Sequence, residues 1–370
     1  MQNIKLLAKK EEIECFLKNL LDSKIISVDI EFMRRNTFFP EPCVIQISDG
    51  NNHACIDLTL ESDYKDIFKD IFNSDKIIVL HSCRQDLEIL HMILGYIPKK
   101  IFDTQFAASF LGYKYQIGYA EVMNEIFEIE IDKTEKMTNW KKRPLTEKQI
   151  EYAMNDVIYL NNLYENLNKK LIESKKIKYF QEEFENYLND IEWEPDTSTS
   201  WKRIKSIRGL SKITYEVAKK ISVWREIKAI NLNLPRNWIL SEKEIIEIAK
   251  NFSINNTINL PRNNKKLNIE KDTLEIVSSI ENVHDTGLHE DSRVKIKNNS
   301  EYKKIADELY EYYKLIALKN NISYQIISPK KMILGYLKNK DKDSRLINGW
   351  RKELIDIDKV RSITKDFFSY

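Results

Sequence analysis

Glycine is scarce in this sequence. Only eight of the 370 residues are glycines, and none of them belongs to a G-x-G-x-x-G or G-x-x-x-x-G-K loop. Such loops wrap nucleotide phosphates with backbone N–H groups, because only glycine lets the backbone approach so closely. Their absence excludes the two common glycine-rich classes of nucleotide-binding protein.

Cysteine is scarce too, and no two of the four cysteines form a C-x-x-C pair. The four are Cys15, Cys43, Cys55 and Cys83. Since the sequence offers neither a disulfide framework nor a Cys/His cluster for zinc, we predict reduced thiols in a cytoplasmic protein.

Long apolar runs are also missing. No stretch reaches the roughly 18–20 apolar residues that a membrane-spanning helix needs. The first ten residues, M-Q-N-I-K-L-L-A-K-K, lack the apolar core and cleavage site of a signal peptide. We therefore predict no membrane association. A chain of 370 residues is long enough for two or three domains.

Charge is distributed unevenly along the chain. Residues 1–170 contain 22 basic and 27 acidic side chains, whereas residues 171–370 contain 37 basic and 30 acidic ones. An acidic first half suits a metal site, and a basic second half suits binding of a polyanion. Lysine-rich helices that only face solvent would give the same asymmetry.

Residues 24–32, K-I-I-S-V-D-I-E-F, predict a buried strand because of their β-branched side chains. Asp29 and Glu31 interrupt its end, and side chains two apart on a strand project from the same face. Two buried carboxylates are costly unless a cation lies between them. The alternative is a strand that frays into an exposed acidic turn.

The first 170 residues combine apolar strands with amphipathic helices. After the first strand, two strands joined at Asp49-Gly50 predict a hairpin, and strand–helix pairs follow. The further predicted strands are residues 43–48, 53–58, 76–80 and 100–102. Helices are predicted at residues 11–21 and 62–72, within 81–94, from Asp103 onward and from Thr146 onward, with residues 113–146 irregular. This order predicts an α/β domain, a mixed sheet with flanking helices.

Beyond residue 198 the patterns are helical. Helices are predicted at 211–230, 241–251, 269–282, 301–320, 328–338 and 350–360. The segment I-L-S-E-K-E-I-I at Ile239 recurs as I-I-S-P-K-K-M-I at Ile326, which indicates two copies of one helical module. The predicted domains are residues 1–170, a helical connector at 171–198, a first module at 199–285, a linker at 286–300 and a second module at 301–370.

Further acids follow the D-x-E strand at places where the chain enters helices. Asp86 leads a helix, and Tyr152 and Asp156 share one helix face because they are four residues apart. Oxygen-only ligands select hard cations such as Mg²⁺ or Mn²⁺. Four carboxylates can hold two such cations, the arrangement used for phosphodiester hydrolysis, with Tyr152 orienting the attacking water.

These residues carry a resemblance to a known family. The stretches V-D-I-E-F, H-S-C-R-Q-D-L-E, F-D-T-Q and W-K-K-R-P-L-T-E-K-Q-I-E-Y-A-M-N-D-V resemble the DEDD 3′→5′ exonucleases, and among them the ribonuclease D family. The resemblance covers residues 4–170. It implies a ribonuclease H-like fold and, as metal ligands, Asp29, Glu31, Asp86 and Asp156. It also implies that Tyr152 orients water, because Glu151 stands where a second subclass has histidine.

The same resemblance implies the activity and the partners. Residues from 199 onward resemble two HRDC modules, the helical modules that ribonuclease D shares with RecQ-type helicases. We expect a 3′→5′ exoribonuclease that takes RNA with a free 3′ end and releases nucleoside 5′-monophosphates. The expected substrates are tRNA precursors, and no obligate protein partner is inferred. The alternatives are a DNA 3′→5′ exonuclease and a non-catalytic nucleic-acid-binding adaptor.

Several other residues allow two interpretations. His81 is interpreted as structural rather than as a general base, and Asp103 as a helix cap or a support of the site. Phe38 and Phe39 could stack on terminal bases or pin their turn to the core. The basic side chains near the Tyr152 helix could contact phosphate or only face solvent. They are Lys133, Lys141, Lys142 and Arg143.

Overall fold

The structure, a computed structural model, describes residues 6–60, 64–132, 138–261, 263–280, 299–339 and 343–364. The chain forms two compact units. The first comprises Met1–Phe32, Pro42–Ile191 and Val294–Tyr370, and the second comprises Met33–Glu41 and Glu192–Arg293. The predicted domain boundaries stay a prediction.

Six strands of the described residues form one mixed sheet in the order β1-β4-β3-β2-β5-β6. They are β1 (Leu6–Leu7), β2 (Ile25–Met33), β3 (Glu41–Ser48), β4 (His53–Asp57), β5 (Ile77–Leu80) and β6 (Lys100–Asp103). β3 and β4 are antiparallel, whereas β2 is parallel to β5 and β5 to β6. The carboxyl ends of β2, β5 and β6 therefore meet at one edge, where loops can carry functional groups.

The sheet is buried because its strands are apolar on both faces. Ile26, Val28, Ile45 and Ile47 are all almost fully buried, as helices packed on both faces of a sheet require. Eight helices of the described residues belong to this part of the chain. They are α1 (Lys10–Lys18), α2 (Tyr64–Phe72), α3 (Arg84–Leu94), α4 (Thr104–Ser109), α5 (Tyr119–Phe127), α6 (Glu147–Ile158), α7 (Leu160–Glu173) and α8 (Ile177–Asn189). The predicted mixed sheet with flanking helices is confirmed.

The prediction of an irregular segment at residues 113–146 is wrong for α5. Val122 and Met123 of this helix are fully buried. Its N-cap is Gly118, which offers no capping side chain, and Glu128 ends it in a left-handed conformation. Because the usual start and stop residues are missing, a helix here was hard to predict from the sequence.

The second unit is helical. It contains α9 (Lys212–Asn231), α10 (Arg236–Ile239), α11 (Glu242–Asn255) and α12 (Ile269–Ile280), preceded by two short 3₁₀ turns at Ser200–Arg203 and Lys205–Gly209. Its core includes Val217, Ile221 and Ile245 together with Phe38, which comes from the segment after β2. The 20-residue α9 and the one-turn α10 lead into α11.

The same order of helices recurs in the last part of the first unit. It contains α13 (Asn299–Asn320), α14 (Tyr324–Ile327), α15 (Lys330–Asn339) and α16 (Ile357–Thr364), with a 3₁₀ turn at Gly349–Glu353. The all-helical character of both C-terminal parts is thus confirmed, and their HRDC-type identity stays a prediction. The predicted linker at 286–300 lies outside the described residues except for 299 and 300.

The predicted helix at 350–360 is wrong, because two elements share this segment. Asp356 accepts hydrogen bonds from the backbone N–H groups of Asp358 and Lys359, which starts α16 afresh. Before it, Arg351 is 1% exposed and its guanidinium forms two hydrogen bonds with Glu183 of α8, at 2.6 and 2.7 Å. This turn therefore packs on α8 rather than continuing a helix.

Within the described parts of the chain, no helix combines the length and the apolar character that crossing a bilayer requires.

Candidate active site

Three acidic side chains converge at the carboxyl end of β2. Asp29 and Glu31 lie on β2 and Asp156 lies on α6. One carboxylate oxygen from each of the three lies within 4.8 Å of the others. The strand alternation expected from D-x-E thus places both acids toward the same helix, and a group of this geometry could hold a cation.

Asp86 lies beside this group without belonging to it. It is in the first turn of α3 and is 7% exposed. Burial, followed by the negative charges of Asp29 and Glu31, raises the pKa of Asp86 well above its ordinary value. Burial also raises the pKa of Asp29, to about 6, against a backbone hydrogen bond from Ile30 that lowers it. The site therefore disfavours its own negative charge when no cation is bound.

Helix α6 is fixed at its start by the predicted capping box. The backbone N–H of Gln149 donates to the Thr146 hydroxyl at 3.2 Å, and the N–H of Thr146 donates to the Gln149 side-chain oxygen at 2.9 Å. Satisfying both N–H groups holds the helix start in place. The helix then presents Tyr152 one turn before Asp156.

Tyr152 keeps its proton at neutral pH. Burial and then the charges of Asp156 and Glu31 raise its pKa above that of an ordinary phenol. Its ring lies 6.0 Å from the ring of Trp140, which is almost fully buried. A protonated phenol next to the carboxylates can donate a hydrogen bond to a bound water or substrate oxygen.

The Arg143 guanidinium is bonded to other groups of the protein and is not free. It donates to both carboxylate oxygens of Asp57, at 2.5 and 2.6 Å, and to the Trp140 carbonyl at 2.6 Å. Although burial raises the pKa of Asp57, hydrogen bonding from Arg143 brings it below its ordinary value. The two interpretations of the basic stretch were contact with phosphate and exposure to solvent. Neither describes Arg143, which is bonded to groups of the protein. Lys133 lies outside the described residues.

Asp103 ties the start of two helices together. Its carboxylate accepts hydrogen bonds from the N–H groups of Gln105 and Phe106, so its predicted role as the cap of α4 is confirmed. It also accepts from the N–H groups of Ser82 and Cys83, in the turn that leads into α3. Asp103 therefore fixes the turn that positions Asp86.

His81 is held by hydrogen bonds at both ring nitrogens. Nδ1 lies 2.9 Å from the Thr104 hydroxyl and Nε2 lies 3.0 Å from the Ile117 carbonyl. Burial lowers the pKa of His81, against the charge of Asp103, which raises it. Because both ring nitrogens are engaged within the protein, the structural interpretation of this residue is supported.

Two residues near the carboxylates could not be recognised from the sequence alone. Burial and then the charges of Asp29 and Glu31 raise the pKa of the Cys55 thiol, which places Cys55 close to both acids. Tyr119 packs edge-on against His81, with ring centroids 5.5 Å apart. Burial, followed by the charge of Asp156, raises its pKa. A single cysteine in an apolar strand and a tyrosine in an unrecognised helix carry no motif.

The two phenylalanines after β2 belong to the second unit. Phe38 is 4% exposed and packs in the helical core, and the Arg236 guanidinium lies 4.3 Å from its ring centroid. Of the two interpretations, pinning to a core is therefore confirmed for Phe38. Phe39 packs against the same core and is partly buried.

Known proteins resemble this chain in sequence and in fold. The sequence profile of a 3′–5′ exonuclease family matches residues 4–172. Ribonuclease D of Bartonella henselae is 31% identical over 95% of this chain and 88% of its own length. Ribonuclease D of Zymomonas mobilis is 27% identical over 98% and 95%. The crystal structure of Escherichia coli RNase D superposes with a TM-score of 0.83 at 22% identity, covering 99% of each chain.

The fold, the carboxylate group and the profile match define the class as a 3′→5′ exonuclease. Within that class, the likeness to the Bartonella relative extends through the helical second half. The chain belongs to the ribonuclease D family, and it is a hydrolytic exoribonuclease.

The site suits a divalent cation. The exonuclease family depends on divalent metal. Asp29, Glu31 and Asp156 provide only oxygen donors, which hard cations prefer. A bound cation would also offset the burial that raises the pKa of Asp29, and the burial and repulsion that raise the pKa of Asp86.

Proposed function

We propose that this chain removes nucleotides from the free 3′ end of RNA by two-metal hydrolysis and releases nucleoside 5′-monophosphates. The observation that carries the proposal is the convergence of Asp29, Glu31 and Asp156 within 4.8 Å. Asp86 lies close enough for Asp29 and Glu31 to raise its pKa. These four carboxylates would hold two Mg²⁺ or Mn²⁺ ions.

The chain's own groups then have distinct roles. When bound, two cations would supply activation of the attacking water and stabilisation of the leaving 3′ oxygen. Asp29 and Glu31 contribute carboxylates from β2, and Asp156 contributes a carboxylate from α6. Tyr152 orients the attacking water through its phenol, which stays protonated because burial and nearby carboxylates raise its pKa. The capping box fixes the start of α6, the helix that carries both Tyr152 and Asp156.

The relatives and the charge of the chain support the substrate that we propose. The Escherichia coli protein of similar fold is described as an exoribonuclease involved in structured RNA processing. We propose tRNA precursors with 3′ trailers as the substrates, without a required protein partner, in the cytoplasm. The excess of basic side chains in residues 171–370 supports binding of a folded polyanion.

The test uses end-blocked substrates. A 5′-labelled RNA should shorten stepwise from its 3′ end with Mg²⁺ or Mn²⁺, and its products should run as nucleoside 5′-monophosphates. A 3′-phosphate should block degradation, and EDTA should abolish it. A tRNA with a short 3′ trailer and a DNA strand of the same sequence complete the set. Cleavage of a circular RNA would contradict the proposal, and a faster reaction on DNA would favour the DNA exonuclease.

A further inference from the structure

The carboxyl end of α4 is capped by residues that follow α13. The Ser109 carbonyl accepts a hydrogen bond from the backbone N–H of Ser323 at 2.7 Å. The Leu111 carbonyl accepts one from Asn321 Nδ2 at 3.0 Å. Because the last carbonyls of a helix have no partner within it, these bonds satisfy groups that α4 leaves open. They tie α4 to the last helical part, which comprises α13 to α16 and belongs to the same unit.

Further contacts make this attachment of α4 close. Lys176 Nζ donates to the Phe110 carbonyl at 3.0 Å and to the Asn321 carbonyl at 2.9 Å, so one ammonium group joins both sides. The rings of Phe110 and Trp350 are almost fully buried, with centroids 5.4 Å apart. Gly112 has a φ of 83°, and a Cβ at this position would collide with the Asn321 side chain. A glycine is therefore needed where the two segments meet.

The amino end of α4 holds the turn between β5 and α3. Asp103 accepts hydrogen bonds from the N–H groups of Ser82 and Cys83, at 3.1 and 2.9 Å. The Thr104 hydroxyl donates to the Leu80 carbonyl at 3.0 Å. Ser82 has a φ of 64°, a backbone conformation that is costly for a residue other than glycine. The turn keeps this conformation because the start of α4 holds it on both sides.

Asp86 follows this turn directly. Cys83 is the N-cap of α3, its carbonyl accepts from the Leu87 N–H at 2.9 Å, and Asp86 lies in that first helical turn. A shift of the turn therefore moves the Asp86 carboxylate relative to Asp29 and Glu31, which lie on β2. Metal sites tolerate little displacement, because distances between a cation and its ligands are fixed to about 0.2 Å.

We propose that the last helical part positions Asp86 for cation binding, and that it acts through Asn321, α4 and Asp103. Asn321 is a positioning residue, since it bonds to the chain at one end of α4 while the turn before Asp86 is held at the other end. The inference rests on the proposed function, because it assumes that Asp86 is a ligand of one of two cations. Loosening Asn321 should then weaken that cation more than the cation held by the other carboxylates.

The test is a calorimetric titration of the full-length protein with Mn²⁺. Asn321→Gly keeps the positive φ of 48° and removes the hydrogen bond to Leu111. One of two Mn²⁺ ions should bind about threefold more weakly, within the range for loss of one hydrogen bond, and the other as in the wild type. Asn256→Gly is the control at a φ of 54°, and it should bind both ions as the wild type does. A contact that serves stability alone would lower the melting temperature and leave both affinities unchanged.

Gly112→Ala disturbs the same contact from the other side. Its methyl group would press against the Asn321 side chain, and it should weaken the same Mn²⁺ ion about tenfold. Gly95→Ala is the matched control, because Gly95 has a similar φ of 79° and the nearest atom to a Cβ there, Lys65 Nζ, would lie 3.7 Å away. Both variants strain the backbone alike, so a difference in Mn²⁺ affinity between them reports the collision with Asn321.

A double-variant cycle with Asp103→Asn tests the link itself. Asp103→Asn should weaken the same ion, and adding Asn321→Gly should weaken it no further, because the turn is already released. Effects of the two substitutions that simply multiply would overturn the proposal. So would equal Mn²⁺ affinities within either pair, Asn321→Gly with Asn256→Gly or Gly112→Ala with Gly95→Ala. Should Asp103→Asn fail to fold, the two pairs decide.

The outcomes separate this inference from the proposed function. If the wild type binds two Mn²⁺ ions and degrades RNA while the variants match their controls, the inference fails and the proposed function stands. If the wild type binds fewer than two Mn²⁺ ions or leaves RNA intact, the proposed function fails first and this inference falls with it.

Discussion

The Asn233 side-chain oxygen accepts hydrogen bonds from the backbone N–H groups of both Phe38 and Phe39, at 3.1 and 3.0 Å. Asn233 follows α9 with a positive φ of 48°. The segment that it holds begins at Met33, two residues after Glu31. One asparagine of the helical unit thus fixes the segment that follows β2 in the sequence.

Replacing this asparagine by glycine tests its role without straining the backbone. Glycine adopts a positive φ freely, so Asn233→Gly removes only the two hydrogen bonds. We expect the free energy of unfolding to fall by about 1 kcal/mol. Asn256→Gly is the control, since Asn256 ends α11 with a φ of 54°. Urea unfolding that finds equal stabilities for the two variants would show that the contact contributes nothing.

The bidentate contact between Arg143 and Asp57 can be tested by substituting the arginine. Lysine cannot reproduce two parallel hydrogen bonds, so Arg143→Lys should lower the free energy of unfolding by about 2 kcal/mol. Lys142→Ala, at an exposed neighbour, should change it by less than about 0.5 kcal/mol. Thermal melts of both variants measure this. A stable Arg143→Lys protein with weakened RNA binding would instead show that Arg143 contacts phosphate.

Tyr152→Phe tests the role of the phenol. The ring stays beside Trp140, and only the hydroxyl is lost. Turnover should fall about 100-fold, within the range for a group that assists proton movement. The rise in melting temperature on adding Mn²⁺ should stay unchanged. Tyr179→Phe removes a hydroxyl that donates to Glu353, and it should turn over normally. Full activity of Tyr152→Phe would remove the phenol from the mechanism.

Much of the fold and of the site could be predicted from the sequence. The strand at residues 24–32 is apolar and β-branched, so both its position and its burial follow from composition. The spacing of Asp29 and Glu31 fixes their common face, and Tyr152 and Asp156 share a helix face for the same kind of reason. That α6 would meet β2 depended on the resemblance, since no periodic pattern specifies which elements meet.

The remaining features depend on contacts between distant parts of the sequence. Asn233 and Phe38 are 195 residues apart, and neither lies in a motif. The pairing of β1 with β4 joins Leu6 to Cys55 across two intervening strands of the chain. Tyr119 starts a helix that lacks a capping side chain. In each case tertiary packing, rather than local propensity, determines the structure.

The raised pKa of Asp29 predicts a pH dependence of stability. A carboxyl with a pKa of about 6 in the folded chain and 3.8 in the unfolded chain is protonated more in the folded state. Its ionisation therefore destabilises the metal-free protein as pH rises from about 4 to 7, by about 3 kcal/mol in total. Asp29→Asn removes this cost at nearly constant shape.

The measurement is the difference in melting temperature between Asp29→Asn and the wild type in EDTA. It should be small near pH 4 and should grow in favour of the variant toward pH 7. Taking the difference cancels the titration of other groups, such as Asp57, whose pKa shifts the other way. A variant that melts lower than the wild type at pH 7 would mean that burial does not disfavour the charge of Asp29.

A titration with Mn²⁺ tests the central claim most directly. Isothermal calorimetry compares the wild type, Asp156→Asn and Glu151→Gln, an exposed acid in the same helix. The account predicts that the wild type and Glu151→Gln each bind two Mn²⁺ ions per chain, and that Asp156→Asn binds fewer or binds at least tenfold more weakly. Equal Mn²⁺ binding by all three proteins, or none by the wild type, would contradict a metal site built from Asp29, Glu31, Asp86 and Asp156.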